Sequence, residues 1–229
     1  MSQRREPTRP TRGEVILRAL RNDILNGYLV PGSPLGFADL GARYQASTGV
    51  LREVLPRLVE QGLVTVVPQI GYRVVEVSVQ DLVHLTEARA AIETQVLAQS
   101  IRDGDLDWES SVVAAHHRLS QLSTIRDDGE INTDWLHAHR RFHQVLLEGC
   151  PNLRLREVAE RLRDISEVYR CWSVRNTEQL QQRDAEHARL AALALERDVE
   201  GAKKELTDHI HRTTEVLLAA QKDATRTTS

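Results

Sequence analysis

From Ser78 to about residue 220 the chain reads as one helical segment after another, with no convincing strand between them. Apolar residues recur at helical spacing over 79–101, 107–124, 131–149, 153–172, 178–196 and 199–220. Ser78-Val-Gln-Asp81 has the form of a capping box that opens the first segment. Gly104, Gly129, Gly149-Cys150-Pro151 and Gly201 fall between the segments or near their ends. Successive amphipathic segments with no sheet to lie on must bury their apolar stripes against each other. The reading is an all-α bundle of about six helices.

The first third has another pattern. Residues 13–26 place Val15, Ile16, Ala19, Leu20, Ile24 and Leu25 on one helical stripe, and Gly27 ends it. Gly27-Tyr-Leu-Val-Pro-Gly-Ser-Pro-Leu-Gly36 is a turn punctuated by Pro and Gly. A short helix over residues 37–46 comes next, and then a third helix, capped by Ser47 or Thr48, that runs to about Gln61. Pro56 falls inside this third helix, where it deletes a backbone bond. Beyond Gly62, two β-branched runs flank Pro68-Gln69-Ile70-Gly71, which predicts a small hairpin. Three helices and a hairpin is the order of a winged helix-turn-helix. The expected organisation is a disordered basic arm over 1–12, a winged helix-turn-helix over 13–77, a helical domain over 78–222 and a disordered tail over 223–229.

Composition narrows the setting. A chain of 229 residues is one large domain or two small ones, and 41% apolar with 28% charged residues suits a soluble globular protein. No run approaches 18 apolar residues, so no membrane span is expected, and the polar, basic N-terminus is not a secretory signal. Cys150 and Cys171 are too few and too isolated for a disulfide scaffold, which together with the absence of a secretory signal suggests a reducing cytoplasm. The net charge of −3 is unevenly spread: residues 1–77 hold ten Arg against seven Asp and Glu, and residues 78–229 hold 20 Lys and Arg against 26 Asp and Glu. A basic head on an acidic body suggests that the head binds an anion, although so small an imbalance also arises by chance.

In a helix-turn-helix the second helix of the pair lies in the major groove, and its first residues reach base edges. Here those are Ser47, Thr48, Gly49 and Arg52. The small hydroxyl residues can donate to phosphates or bases, and Arg52 can fork onto a guanine or grip a phosphate. Leu51, Leu55 and Leu58 face the core instead. The hairpin tip over Gln69–Arg73, with Gly71 and Arg73, would touch the DNA backbone or the minor groove. A winged helix that contacts protein rather than DNA is the alternative on pattern alone. One recognition helix reads only a few base pairs, so DNA binding implies a homodimer on an inverted repeat. Arg4, Arg5, Arg9 and Arg12 of the arm would add phosphate contacts.

The helical part contains a second pattern. His139-Arg-Arg-Phe-His143 sets two imidazoles at i and i+4, on one face of one helix. His187 lies early in a later helix, and His209 stands 22 residues further on in the last one. Three helices can thus present four nitrogens to one point. Such histidines are either metal ligands or packed side chains without metal. His84, His116, His117, His137 and His211 belong with the second reading. Trp108, Trp135 and Trp172 are expected to pack the core.

These residues together resemble a known family. Ile24-Leu-Asn-Gly-Tyr-Leu-Val-Pro-Gly-Ser-Pro-Leu35 is similar to the I-x-x-G-x-x-x-P-G-x-x-L opening of GntR-type bacterial repressors. Ser47 to Leu55 resembles their recognition helix, S-R-x-P-V-R-E-A-L, and Glu60-Gln-Gly-Leu-Val64 with Gly71-Tyr-Arg-Val74 resembles the hairpin region beyond that helix. Glu87-Ala-Arg-Ala-Ala-Ile-Glu93 is similar to the R-x-x-L-E that opens the all-helical, FCD-type effector domain of the FadR subfamily. Phe142-His143, Glu186-His187 and His209 match the D-x-x-F-H, E-H and H of its metal-binding members. The chain departs from the pattern at three positions that bear on function. Thr48 stands where the family has a base-reading Arg, Val50 where it often has Pro, and His139 where it has Asp.

The resemblance implies a ligand-responsive DNA-binding regulator, a repressor, with His139, His143, His187 and His209 as metal ligands. An all-imidazole set suits zinc first, with nickel, cobalt or copper as alternatives, and suits magnesium or calcium poorly. An ion held by neutral imidazoles keeps its +2 charge, so a small anionic effector, a carboxylate, is expected beside it. Arg89 either pairs with such an effector or makes a structural bridge to Glu87 or Glu93. A metal-dependent enzyme is the alternative from another class, since imidazole-bound metal can activate water. Against it, the chain has no HExxH, GxSxG or Gly-rich phosphate loop. An adaptor that uses both domains for protein contacts is the third reading.

Overall fold

A computed structural model describes residues 10–128, 132–171 and 178–227. Arg4, Arg5, Arg9, Gly129, Trp172 and the last two residues of the expected tail lie outside the described residues. The chain divides into two compact units, with the boundary in the sequence between Val77 and Ser78. Among the described residues there are nine helices and one two-stranded antiparallel sheet.

The first unit is a winged helix-turn-helix made of α1 (Arg12–Leu25), α2 (Phe37–Tyr44), α3 (Thr48–Glu60), β1 (Val64–Val67) and β2 (Gly71–Val74). Its core joins Leu20, Ile24 and Leu25 of α1 with Leu51, Val54, Leu55 and Leu58 of α3. Val15 is exposed and Leu17 is buried, one residue round the helix from the expected stripe. The basic arm expected through residue 12 ends earlier. Thr11 caps α1 by accepting from the Glu14 N–H, and the Glu14 carboxylate accepts from the Thr11 N–H at 2.7 Å, a complete capping box. Arg12 is the first helical residue, and its guanidinium donates to the carbonyls of Tyr44 and Gln45 at 3.3 and 3.0 Å. It ties down the end of α2 and is not a free phosphate contact.

Gln45, at φ 50°, ends α2 in the left-handed region, and Ser47 then caps α3 by accepting from the Val50 N–H. α3 continues through Pro56 to Glu60. The hairpin pairs Val64 with Val74 through to Val67 with Gly71. Its turn places Pro68 second and Gln69, at φ 65°, third, and the Ile70 N–H donates to the Val67 carbonyl at 3.1 Å. That is a type II turn with glutamine where glycine is usual.

The second unit is all helical: α4 (Val79–Asp103), α5 (Leu106–Ser120), α6 (Thr133–Glu148), α7 (Leu153–Cys171), α8 (Glu178–Leu195) and α9 (Val199–Thr227). α4 packs on α7 and α9, α5 packs on α6 and α8, and α8 lies along α9. Val96, Leu97, Ile101, Trp135, Phe142, Leu146 and Ile210 form the centre of the core. Trp108 joins it and donates from Nε1 to the Val145 carbonyl at 2.9 Å. At Gly149 a Cβ would lie 2.6 Å from the Ser100 carbonyl, so the end of α6 rests directly on α4. α9 runs on to Thr227, so the tail expected from residue 223 is helical as far as it is described. Gln221 to Thr227 contains neither Pro nor Gly to stop it.

The capping box at the start of α4 is completed by a distant residue. Ser78 accepts from the Asp81 N–H as expected, but Asp81 does not reach back. The Tyr169 hydroxyl of α7 accepts from the Ser78 N–H at 3.2 Å and donates to Asp81 Oδ2 at 2.6 Å. Burial, aided by the bond to Asp81, pushes the Tyr169 pKa up to about 12. A folded pKa above the unfolded value of about 10 gives stability that is complete below pH 10 and lost as pH rises toward 12. Tyr169→Phe is expected to cost about 1–3 kcal/mol at neutral pH and to abolish the alkaline loss attributable to this group. Denaturant midpoints of both proteins at pH 7 and pH 11 measure the two effects.

Candidate functional site

His139 and His143 lie one turn apart on α6, and α8 and α9 contribute His187 and His209. All four are buried, with relative exposures of 7, 4, 1 and 5%. One nitrogen from each lies within 4.8 Å of those of the other three. His143 Nε2 is central, 3.2 Å from His139 Nε2 and 3.3 Å from His187 Nε2. Trp135 stacks on His139 with ring centroids 4.9 Å apart, and Phe142 sets its edge against His143 and His187. The aromatic walls help to bury these imidazoles. Burial, with Arg170 adding for His139 and Arg163 for His143, holds both pKa values well below the ordinary histidine range. Both rings are therefore neutral at pH 7, which is the ligand form.

The donor set fits a transition metal. Nitrogens bound at 2.0–2.1 Å around a tetrahedral ion lie about 3.3 Å apart, and the two spacings at His143 match that edge. His209 is held ready: its Nδ1–H donates to Glu186 Oε2 at 2.7 Å, which leaves the Nε2 lone pair for the cluster. Burial raises the Glu186 pKa, but its contacts with His209 and Arg212 outweigh that and keep the carboxyl below its usual value. His139 is engaged differently. Arg170 Nη1 lies 2.6 Å from His139 Nδ1 and 3.2 Å from its Nε2, so the guanidinium sits against the part of the ring that carries both nitrogens. A cation at either nitrogen would meet that positive charge, so Arg170 must withdraw before His139 can ligate.

Beside the imidazoles lies a cavity. α4 lines it with Leu82, Thr86 and Arg89, α7 with Arg163, Glu167 and Arg170, and α9 with Thr214 and Leu217. His139, His143 and His209 form its floor. Arg89 makes the structural bridge, donating from Nε to Glu93 Oε1 at 2.6 Å, and also lines the cavity. Glu93 Oε2 also lies 3.9 Å from Arg163. Burial pushes the Arg163 pKa down to about 10, against the pull of Glu93, so it stays charged at neutral pH. Three guanidiniums and one carboxylate line this space, which favours an anion. His137 and His211 are exposed on other faces of their helices, and His84 and His117 are exposed as well.

In the winged unit, Ser47, Thr48, Gly49 and Arg52 are all exposed at the start of α3. The Ser47 hydroxyl accepts from Val50 and keeps its own hydrogen to donate. Gly71 adopts φ +101° at the base of the hairpin turn with open space around it. Arg73 does not join this group. Its Nη1 donates to the Gly32 carbonyl at 2.6 Å and fastens the hairpin to the loop after α1.

Glu167, Arg170 and the relation of Glu186 to His209 escaped sequence reading. Glu167 and Arg170 stand at i+4 and i+7 from Arg163, which marks one face of α7 and nothing more specific. A family model described as "Bacterial regulatory proteins, gntR family" matches residues 12–74, and one described as "FCD domain" matches residues 84–212. The HTH-type transcriptional repressor GlaR of Escherichia coli (strain K12) is 36% identical over 197 residues, 84% of this chain and 90% of the relative. The HTH-type transcriptional regulator BphR of Paraburkholderia xenovorans (strain LB400) is 35% identical over 206 residues, 89% of this chain and 84% of that one. Among solved structures, E. coli McbR/YncC superposes with a TM-score of 0.79 at 19% identity, covering 92% of this chain and 99% of that one, which is a likeness of fold.

Arg170, itself paired with Glu167, opposes a cation at the cluster by its charge and by its place against the ring nitrogens of His139. Arg170→Met is therefore expected to tighten zinc binding, read as competition with a chromophoric chelator. Unchanged or weaker binding would count against zinc in contact with His139.

Proposed function

Because this chain belongs to the GntR family of bacterial regulatory proteins and carries an FCD domain, it is a DNA-binding transcriptional regulator, and we propose that its helical unit binds a divalent metal and a small carboxylate that together control repression. The observation that carries the reading is the buried quartet of imidazoles beside a cavity lined by three guanidiniums. In this reading His139, His143, His187 and His209 hold the ion, zinc first among nickel, cobalt and copper. The bound ion supplies a +2 charge that the neutral imidazoles do not cancel. Arg89, Arg163 and Arg170 add positive charge from α4 and α7 and draw an anion to the same place. Arg170, turned toward the anion, releases His139.

In the same reading two chains bind an inverted-repeat operator as a homodimer in the cytoplasm. Ser47, Thr48, Gly49 and Arg52 meet the major groove, and the Gly71 turn reaches the backbone. Arg73 holds the hairpin in place for that contact. Family membership favours the regulator over the metal-dependent enzyme and the adaptor.

Three measurements test this. Untagged protein is expected to carry one transition metal per chain, lost on chelation with a fall in melting temperature. The double variant His143→Ala, His187→Ala should lose it; undiminished occupancy rules out the site. Arg52→Ala is expected to weaken binding to the intergenic DNA beside its gene by about 1–3 kcal/mol, and equal retardation of both proteins removes Arg52 from the readout. Calorimetry with small carboxylates is expected to show binding to the zinc-loaded protein and not to the stripped one. Equal binding to both makes the ion structural, and an anion that binds through metal but leaves DNA affinity unchanged breaks the coupling.

A further inference from the structure

Glu186 directly precedes His187 in the chain, yet its carboxylate does not join the donor cluster, which among the described residues contains only the four imidazoles. It crosses to α9 instead. Oε2 accepts from His209 Nδ1 at 2.7 Å, and Oε1 lies 2.7 Å from Arg212 Nε. Arg212 stands three residues after His209 on the same face of α9, so this helix supplies both the imidazole and the cation that brackets Glu186. The chain of ion pairs continues outward. Arg212 Nη2 lies 3.3 Å from Glu205 Oε1, and Glu205 Oε1 lies 3.0 Å from Arg189 Nη2. Glu186 itself is 6% exposed, so burial leaves its carboxylate few alternatives to these two partners.

A buried carboxylate that accepts from one imidazole nitrogen fixes which nitrogen carries the hydrogen and how the ring is turned. We propose that Glu186 is a positioning residue for the metal centre: clamped by Arg212, it holds His209 as the Nδ1–H tautomer with the Nε2 lone pair aimed at the other three imidazoles. The assignment rests on the metal reading above. It explains why an acidic residue sits beside His187 without being a ligand. It also predicts that Arg212, half-exposed and outside the donor cluster, matters to a buried ion through Glu186 alone.

The test uses the full chain and zinc alone. In metal-free wild type, ¹⁵N NMR of the histidine rings should show His209 protonated at Nδ1. Glu186→Gln keeps the shape, but its amide can donate as well as accept and no longer dictates the tautomer. It should retain the helical circular dichroism of wild type and bind zinc about 10–100-fold more weakly. Arg212→Gln should weaken zinc binding in the wild-type background and add nothing in the Glu186→Gln background. Zinc affinity unaltered in Glu186→Gln, or a hydrogen on His209 Nε2 in metal-free wild type, overturns the assignment alone. Wild type that takes no zinc overturns the metal reading and the assignment with it. If Glu186→Gln does not fold, the wild-type tautomer and the single Arg212→Gln variant decide.

Discussion

Four imidazoles buried at one point impose a single register on three helices. Neutral rings lose their water when Trp135 and Phe142 close over them, and each ring nitrogen then needs a partner inside the protein. His143 Nε2 meets His139 and His187, His209 Nδ1 meets Glu186, and His139 meets Arg170. A slip of α9 by one residue would turn His209 away from all of them. The same register sets the cavity, because His209, Thr213 and Leu217 succeed one another at four-residue steps along α9. A donor cluster and an adjoining pocket are thus one construction, and a ligand that enters the pocket meets the cluster.

The winged unit depends on a simpler division of one helix. α3 buries Leu51, Val54, Leu55 and Leu58 and exposes Thr48, Gly49 and Arg52. Pro56 costs less here than mid-helix proline usually does, because it is exposed and the leucines around it hold α3 in the core. The two arginines fixed by backbone carbonyls, Arg12 and Arg73, act as clasps at the end of α2 and at the hairpin. The basic charge of this unit is therefore partly structural, and a count of arginines overstates how many remain for phosphates.

The sequence makes legible whatever repeats at a short period or stops at a known signal. The six helices of the second unit, the hairpin and the four histidines are of that kind. The features missed depend on partners far apart in the chain. Tyr169 completes a cap 88 and 91 residues away, and Arg170 reaches His139 across 31. No periodicity records such pairs. Gln45 ends α2 in the left-handed region, where glycine or asparagine would have announced the stop. Arg89 was readable as either an ion-pair partner or a cavity residue, and proximity to both Glu93 and the imidazoles makes it both.

The exchange of Asp for His at residue 139, relative to the pattern this chain resembles, bears on how an effector would act. An aspartate there would cancel one unit of the metal's charge and offer its second oxygen to Arg170 as a carboxylate–guanidinium pair. A histidine does neither. It leaves the ion uncompensated and gives Arg170, already paired with Glu167, a ring nitrogen where an aspartate would add a second carboxylate. Within the proposed function both changes favour the anion, since the metal attracts it more and Arg170 is more easily drawn to it. Metal and effector then reinforce each other's binding, because Arg170 leaves His139 for the anion and frees the nitrogen that the metal needs. Linkage requires the effect to be mutual: an anion that tightens metal binding is itself bound more tightly when the metal is present.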